Sequence, residues 1–221
     1  MYMETWYTKV SGLWSAGMKI SGLESGLKKY IMRLPITLPP YPEILEVGCG
    51  TGTASFALLE RFPNAHITAT DIDPNMLLAA AKIAFKKQIP PERIEFGEAD
   101  VNNPEEIIHL DKDEPTHIKP DSFHCVIASA VMEHADLEIS LPVIARILKP
   151  GGYFINIGVS NTIAGKAYAG LFDFSIIPPE EFSRMLRINN YDNISVVPFL
   201  WNEFPANLLR VGIIAKKRKI A

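Results

Sequence analysis

The chain has little of what would tie it to a secreted, membrane-spanning or nucleic-acid-binding role. Its 221 residues include two cysteines, Cys49 and Cys125, too few for a disulfide framework. No apolar run approaches the roughly 18 residues of a spanning helix. Basic residues are not in excess: 22 Lys and Arg against 25 Asp and Glu leave a net charge of −3, which supplies no electrostatic pull toward nucleic acid. Internal repeats, low-complexity tracts and anything resembling a signal peptide are also missing. The expectation is therefore a cytoplasmic protein of one domain, with 48% hydrophobic residues to build a core and no metal site.

What the chain does have is three glycines in five positions. The stretch EILEVGCGTGTASFALLERF (43–62) passes from an apolar segment into a helical pattern, with Gly48, Gly50 and Gly52 at the junction. Glycine there lets the backbone turn sharply and approach a ligand, which the free N–H groups of the helix start would face. The same alternation continues. Segments 44–48, 66–71, 94–98 and 123–129 and the run KPGGYFINIGV read as buried strands, with helices at 53–62, 74–87 and 137–148. Asp73-Pro74 forms an N-cap followed by proline at the first helical position, whereas Pro142 places the regular start of its helix near itself. After a helix at 178–189, ISVVPF (194–199) and LLRVGIIAKK (208–217) are strands whose connection is too short for a helical crossover, hence antiparallel. The charged stretch 102–120 reads as a solvated surface loop. The expected fold class is α/β: a Rossmann-like, doubly wound, mostly parallel seven-stranded sheet with a C-terminal antiparallel hairpin strand.

The glycine spacing narrows the ligand. A dinucleotide site needs G-x-G-x-x-G, but the third position here is Thr53. The pattern G-x-G-x-G suits a ligand without a pyrophosphate, and Asp71 ends the second strand where a carboxylate meets ribose hydroxyls. ILEVGCGTG resembles the first motif of the class I S-adenosylmethionine-dependent methyltransferases. ITATDIDPNML (67–77) is similar to their second motif, IEFGEADV (94–101) to their third, and LPVIARILKPGGYFI (141–155) to the approach to their fifth strand. Within that family the chain is most similar to the small-molecule branch typified by quinone methyltransferases. It departs at His124, where many relatives carry an acidic residue in support of structure.

The resemblance implies a methyltransferase domain at 43–221 with residues 1–42 as an N-terminal helical lid or cap. It also implies S-adenosylmethionine as cofactor. Gly48, Gly50 and Gly52 would meet the methionine moiety, with Glu46 near its amino group. Asp71 would accept from both ribose hydroxyls, and Ile72 and Met76 would sandwich the adenine. Asp100 and the Val101 N–H would read the adenine edge, and Ser129 would line the donor–acceptor junction. Each has a plainer role open to it: Asp71 and Asp100 as turn or cap residues, Ile72 and Met76 as helix core.

The acceptor side is less determined. SAVMEHADLE (129–138) follows the fourth strand, and His134, then Glu133, are the candidate bases if the acceptor must lose a proton. Ser-Ala-Val-Met there replaces the Asn/Asp-Pro-Pro-Tyr/Phe motif of relatives that methylate adenine or glutamine nitrogens, so no nucleic-acid partner is expected. Tyr7 and Trp14 could belong to a closing lid, and Tyr168 and Trp201 could wall an apolar pocket; all four could equally be packing residues. Trp14 with Lys19, Lys28, Lys29 and Arg33 also suggests peripheral membrane contact through residues 6–34. The expected function is methyl transfer to a small, apolar, aromatic or lipid-like acceptor. The rivals are a non-catalytic cofactor-binding partner or sensor, an aminopropyl transferase, and an NAD-dependent oxidoreductase.

Overall fold

The computed structural model describes residues 22–112 and 114–219. Strand β1 (Glu43–Val47), helix α2 (Thr53–Arg61), β2 (His66–Asp71), α3 (Pro74–Lys86) and β3 (Ile94–Glu98) form the first winding, preceded by α1 (Leu23–Arg33). Two short strands follow, β4 (Glu106–His109) and β5 (Thr116–His117). The second winding is β6 (Phe123–Ser129), α4 (Leu137–Ile147) and β7 (Leu148–Val159). Helices α5 (Ile163–Phe172) and α6 (Pro179–Ile188), β8 (Tyr191–Pro198), α7 (Ala206–Leu209) and β9 (Arg210–Lys217) complete the chain.

The strands form one sheet in the order β5-β4-β3-β2-β1-β6-β7-β9-β8. The central five, β3 to β7 in that order, pair in parallel, and β9 runs antiparallel against both β7 and β8. The chain winds outward from β1 through β2 to β3, then returns to β1's other edge with β6. That reversal opens a crevice at the carboxyl ends of β1 and β6, where open α/β sheets bind ligands. Apolar side chains on both faces of each parallel strand build two cores. On one face Ile44, Ile67, Ile127 and Ile157 meet α1, α2 and α3; on the other Leu45, Val126, Phe154 and Ile213 meet α4 and α6.

The doubly wound α/β fold is as expected, but the sheet has nine strands rather than seven. The stretch 102–120 is not a solvated loop: β4 and β5 lie in it and cover the outer edge of β3 in antiparallel fashion. In β4 the residues alternate outward and inward, with Ile107 and His109 buried. Four residues of alternation inside a charged tract are too short a signal to stand out, yet they supply partners for β3's otherwise open edge. The helix at α4 begins at Leu137, capped by the Asp136 side chain, and carries Pro142 within it. The proline withholds its N–H from the carbonyl of Glu138, an exposed residue of the first turn that water can satisfy. Helix α5 was not expected, because IAGKAYAGLF has neither a clear apolar face nor a long run of good helix formers. Asp73 caps α3 as anticipated, its Oδ1 accepting the Asn75 N–H at 2.9 Å.

Of the expected cap segment, residues 22–42 are described; α1 packs into the main core together with Leu34 and Ile36, while Pro35, Thr37 and residues 39–41 stay exposed. Tyr30 and Ile31 are fully buried, the Tyr30 ring stacks on Phe199 at 3.8 Å, and its hydroxyl donates to the Val197 carbonyl at 2.9 Å. Arg61 donates to the carbonyls of Ile31 and Leu34, closing the end of α1. Arg33 grips buried Glu203 with two hydrogen bonds, and Lys29 donates to the Asn202 carbonyl. Tertiary contacts thus hold a short helix that Gly26 in its interior makes weak alone. Among the described residues no helix is long and apolar enough to cross a membrane. Tyr30→Phe, which removes the buried hydroxyl's bond to the Val197 carbonyl, is expected to lower stability by about 1 kcal/mol, read as a shift of the urea midpoint at constant m.

Candidate active site

The turn after β1 is built from alternating left-handed residues: φ is 66° at Gly48, 53° at Gly50 and 83° at Gly52. Side-chain-bearing residues rarely adopt such angles. Space forbids them as well at Gly48, where a Cβ would stand 2.6 Å from Val131 Cγ2. The turn therefore rests directly on the loop that follows β6. A Cβ at Gly50 would meet nothing within 4 Å, so the turn's other side is open. Helix α2 starts just after it with no N-cap side chain; Glu46 holds the Ser55 N–H of its first turn, and the Thr53 and Ala54 N–H groups face the opening without a side-chain cap.

Two carboxylates hold this turn, Glu46 from β1 and Asp71 from the end of β2, and a third, Asp100, follows β3. Glu46, 1% exposed, accepts from the Ser55 N–H at 2.8 Å and from the Ser55 hydroxyl with the same Oε2. Burial pushes its pKa up to about 8, against the two Ser55 hydrogen bonds, and the charge of Asp71 adds to the rise. Asp71 ends β2 and accepts the Gly50 N–H on Oδ2 at 2.7 Å and the Asp73 N–H on Oδ1 at 3.0 Å. Its pKa too is raised by burial. Each oxygen holding one donor retains acceptor capacity for a second. Ile72 follows at 59% exposure, an apolar wall beside the opening, and Met76 in the first turn of α3 is buried yet belongs to neither core. Asp100 lies two residues beyond β3, exposed, with Oδ1 accepting the Asn102 N–H at 2.8 Å; the turn role is real, and Val101 packs against the second core.

Beyond β6, Ser129 is half-buried and Ala130 adopts a left-handed φ of 58°, held by its N–H donating to the Ile157 carbonyl at 2.9 Å. A short 3-10 turn, Met132–His134, follows. Glu133 Oε1 accepts the Val159 N–H at 2.5 Å, tying this turn to the end of β7, while Oε2 is buried with no hydrogen-bond partner among the described residues. The His134 ring meets Phe174 edge-on at 5.2 Å, and Phe174 meets Tyr168 at 5.8 Å. Burial lowers the His134 pKa below its usual value, with Glu133's charge opposing. His134 and Tyr168 thus belong to one aromatic cluster. Trp201 does not join it: it stands 86% exposed in the 3-10 turn Trp201–Glu203, beside α1. Tyr7 and Trp14 lie outside the described residues. His124 sits at the opposite ends of the strands, where its Nδ1 accepts the Glu43 N–H at 3.0 Å.

Two features of the site went unread in the sequence. Val131 braces Gly48, and only the spatial meeting of two loops reveals that. Arg210 opens β9 almost fully buried; its one signal was a lone charge in the apolar run LLRVGIIA.

A family model described as a methyltransferase domain matches residues 45–154. The chain is 34% identical over 143 residues to the uncharacterized methyltransferase YodH of Bacillus subtilis, a match covering 64% of this chain and 52% of that protein. It is 33% identical over 146 residues to the reducing polyketide synthase Preu2 of Preussia isomera, covering 65% of this chain and 6% of the synthase. The chain thus spans about half of the first relative's length and a small part of the second's. Its fold superposes with a TM-score of 0.70 on a solved complex of the Haloferax volcanii Trm112 methyltransferase activator and the putative methyltransferase, at 17% identity and covering 98% of this chain and 97% of that one. The matched segment includes the glycine turn, Asp71 and the post-β6 loop. The chain belongs to the class I S-adenosylmethionine-dependent methyltransferases.

The site of this methyltransferase fits that cofactor chemically. A sulfonium ligand carrying an ammonium, a diol and an aromatic amine asks for carboxylates on one rim, an apolar wall and an open backbone turn. Glu46 and Asp71 beside the turn, Asp100 beyond β3, exposed Ile72 and the open side of Gly50 offer groups of those kinds. Buried Cys49 is no nucleophile, since burial holds its thiol well above the usual range.

Gly48→Ala is expected to weaken S-adenosylhomocysteine binding at least about tenfold in calorimetric titration, because the turn must leave Val131. A proton release is also expected. Glu46, with a pKa of about 8 in the free protein, is mostly protonated at pH 7, and a bound ammonium favours its ionised form. Titration at pH 7 in buffers of different ionisation enthalpy should show protons leaving on binding, and Glu46→Gln should abolish the release.

Proposed function

We propose that the chain transfers a methyl group from S-adenosylmethionine to a small acceptor with an apolar or aromatic body. The observation that carries this reading is the ring cluster of His134, Phe174, Tyr168 and Phe172, packed where the acceptor must approach, beside the Ser129–Glu133 loop. Aromatic walls with one titratable tip suit a small organic molecule. The described basic residues of the expected membrane-contact segment are engaged within the fold: Lys28 with Glu60, Lys29 with Asn202 and Arg33 with Glu203. That favours an acceptor free in solution over one drawn from a membrane.

In this reading Glu46 receives the cofactor's ammonium, and Asp71 receives both ribose hydroxyls on the capacity left after Gly50 and Asp73. Ile72 and Met76 flank the adenine, and Asp100, with the Val101 N–H, meets its polar edge. Ser129 lines the junction between donor and acceptor. The bound sulfonium supplies an electrophilic methyl carbon. The chain's own task is to align the acceptor's lone pair behind that carbon and to exclude water. Where the attacking atom carries a proton, His134 Nδ1 or Nε2 takes it. Burial keeps the ring neutral, hence able to accept, to lower pH than for an exposed histidine. Glu133, anchored to the Val159 N–H, positions the turn that carries His134.

The test is S-adenosylhomocysteine formation from S-adenosylmethionine with a panel of small aromatic and aliphatic phenols, acids and amines. Turnover with at least one acceptor above the acceptor-free rate is expected. Intact cofactor binding with no turnover on any of them would favour the non-catalytic sensor instead. With a proton-bearing acceptor, His134→Gln should lower kcat about a hundredfold. It should also remove the acid limb of the rate profile, which in the wild type lies below the ordinary histidine value of 6.5.

A further inference from the structure

Arg210 is the first residue of β9 and lies opposite Val159, the last residue of β7. It therefore stands at the same end of the sheet as Ser129 and Glu133. It is 9% exposed, and its Nη1 is buried with no hydrogen-bond partner among the described residues. Among the described residues no carboxylate pairs with it. The other cations set into the fold differ. Arg33 has Glu203, Arg61 and Arg93 each donate to backbone carbonyls, and Lys217 has Asp121 and the Leu148 carbonyl. A guanidinium withdrawn from water without a counter-charge is a standing cost to the fold, and it is tolerated where a ligand completes it.

Its surroundings show which ligand. The guanidinium carbon lies 5.5 Å from the Tyr168 ring centre, over its face. Tyr168 meets Phe174, and Phe174 meets His134. The unpaired cation thus lies at one end of the ring cluster whose other end is the candidate base. A planar fork of N–H donors matches a pair of oxygens on one carboxylate or phosphoryl group.

We propose that Arg210 anchors an oxyanion of the acceptor, so that the substrate is a small apolar or aromatic body ending in a carboxylate or a phosphate ester. This rests on the methyl-transfer reading above, narrowing its acceptor to an anion. The anion docks on Arg210, its body lies along Tyr168 and Phe174, and the nucleophilic end reaches His134.

The test uses the protein loaded with S-adenosylhomocysteine, titrated separately with benzoate and phenyl phosphate and with their neutral counterparts benzamide and phenol. At least one anion is expected to bind about tenfold or more tightly than its counterpart, and the arm that does so separates carboxylate from phosphoryl recognition. Arg210→Met should bring that anion down to the neutral level, while Arg210→Lys keeps part of the preference. Melting temperature supplies an independent readout: ligand-free Arg210→Met should melt no lower than the wild type, because relieving a buried charge with no counter-ion among the described residues offsets the loss of its contact with the Tyr168 ring. Equal binding of anions and neutral compounds, a preference that survives Arg210→Met, or a clearly lower melting point for that variant would each overturn the proposal. Loss of S-adenosylhomocysteine binding in the wild type would instead defeat the cofactor reading beneath it.

Discussion

The hydrogen bond from the Gly50 N–H to Asp71 Oδ2, 2.7 Å long, joins the turn after β1 to the end of β2, and the site depends on it. A turn of three left-handed glycines has many conformations open to it. The Asp71 carboxylate selects one, and the Asp73 N–H on its other oxygen fixes the carboxylate in turn. Val131 closes the far side of the turn at Gly48, so the first winding of the sheet and the loop after β6 are assembled against each other. Parallel pairing of β1 with both β2 and β6 brings these three pieces to one crevice.

The charges of the molecule fall into two kinds. Those that hold the fold are paired: Arg33 with Glu203, Arg61 with the carbonyls that end α1, Lys217 with Asp121. Those around the crevice are not. Glu46 and Asp71 carry raised pKa values because burial acts on them with no cation among the described residues to offset it, and among those residues no carboxylate pairs with Arg210. Paired charge reads as architecture. Buried ionisable groups of both kinds without a counter-charge, gathered at the carboxyl ends of the strands, read as a site for ligands of complementary charge. A cationic cofactor between the two carboxylates and an anionic acceptor on Arg210 would leave neither kind uncompensated.

Much of this was legible in the sequence, for identifiable reasons. The glycine turn, Asp71 and the Asp73-Pro74 cap are local devices, each dictated by the backbone conformation of a few adjacent residues. The buried parallel strands betray themselves by apolar runs, so the doubly wound order followed from their spacing. Strands β4 and β5 did not, since four and two residues in a charged tract carry no pattern, and the pairing of β4 is dictated by β3's open edge. The placement of α1 was obscured because its stability comes from Arg61, Glu203 and Val197, residues distant in the chain. Trp201 was grouped with Tyr168 by residue type alone, and the fold separates them. Arg210 was visible only as a charge in an apolar run; what makes it notable is the missing partner, which no linear reading reveals.

The central claim is that Asp71 and the glycine turn form a site for S-adenosylmethionine rather than for a dinucleotide. Calorimetric titration of the wild type and Asp71→Ala with S-adenosylhomocysteine and, separately, NAD⁺ tests it most directly. The account predicts micromolar binding of S-adenosylhomocysteine, weakened at least about tenfold (about 1.4 kcal/mol) by the substitution, and no NAD⁺ signal. NAD⁺ binding, or S-adenosylhomocysteine affinity unchanged in Asp71→Ala, would contradict it.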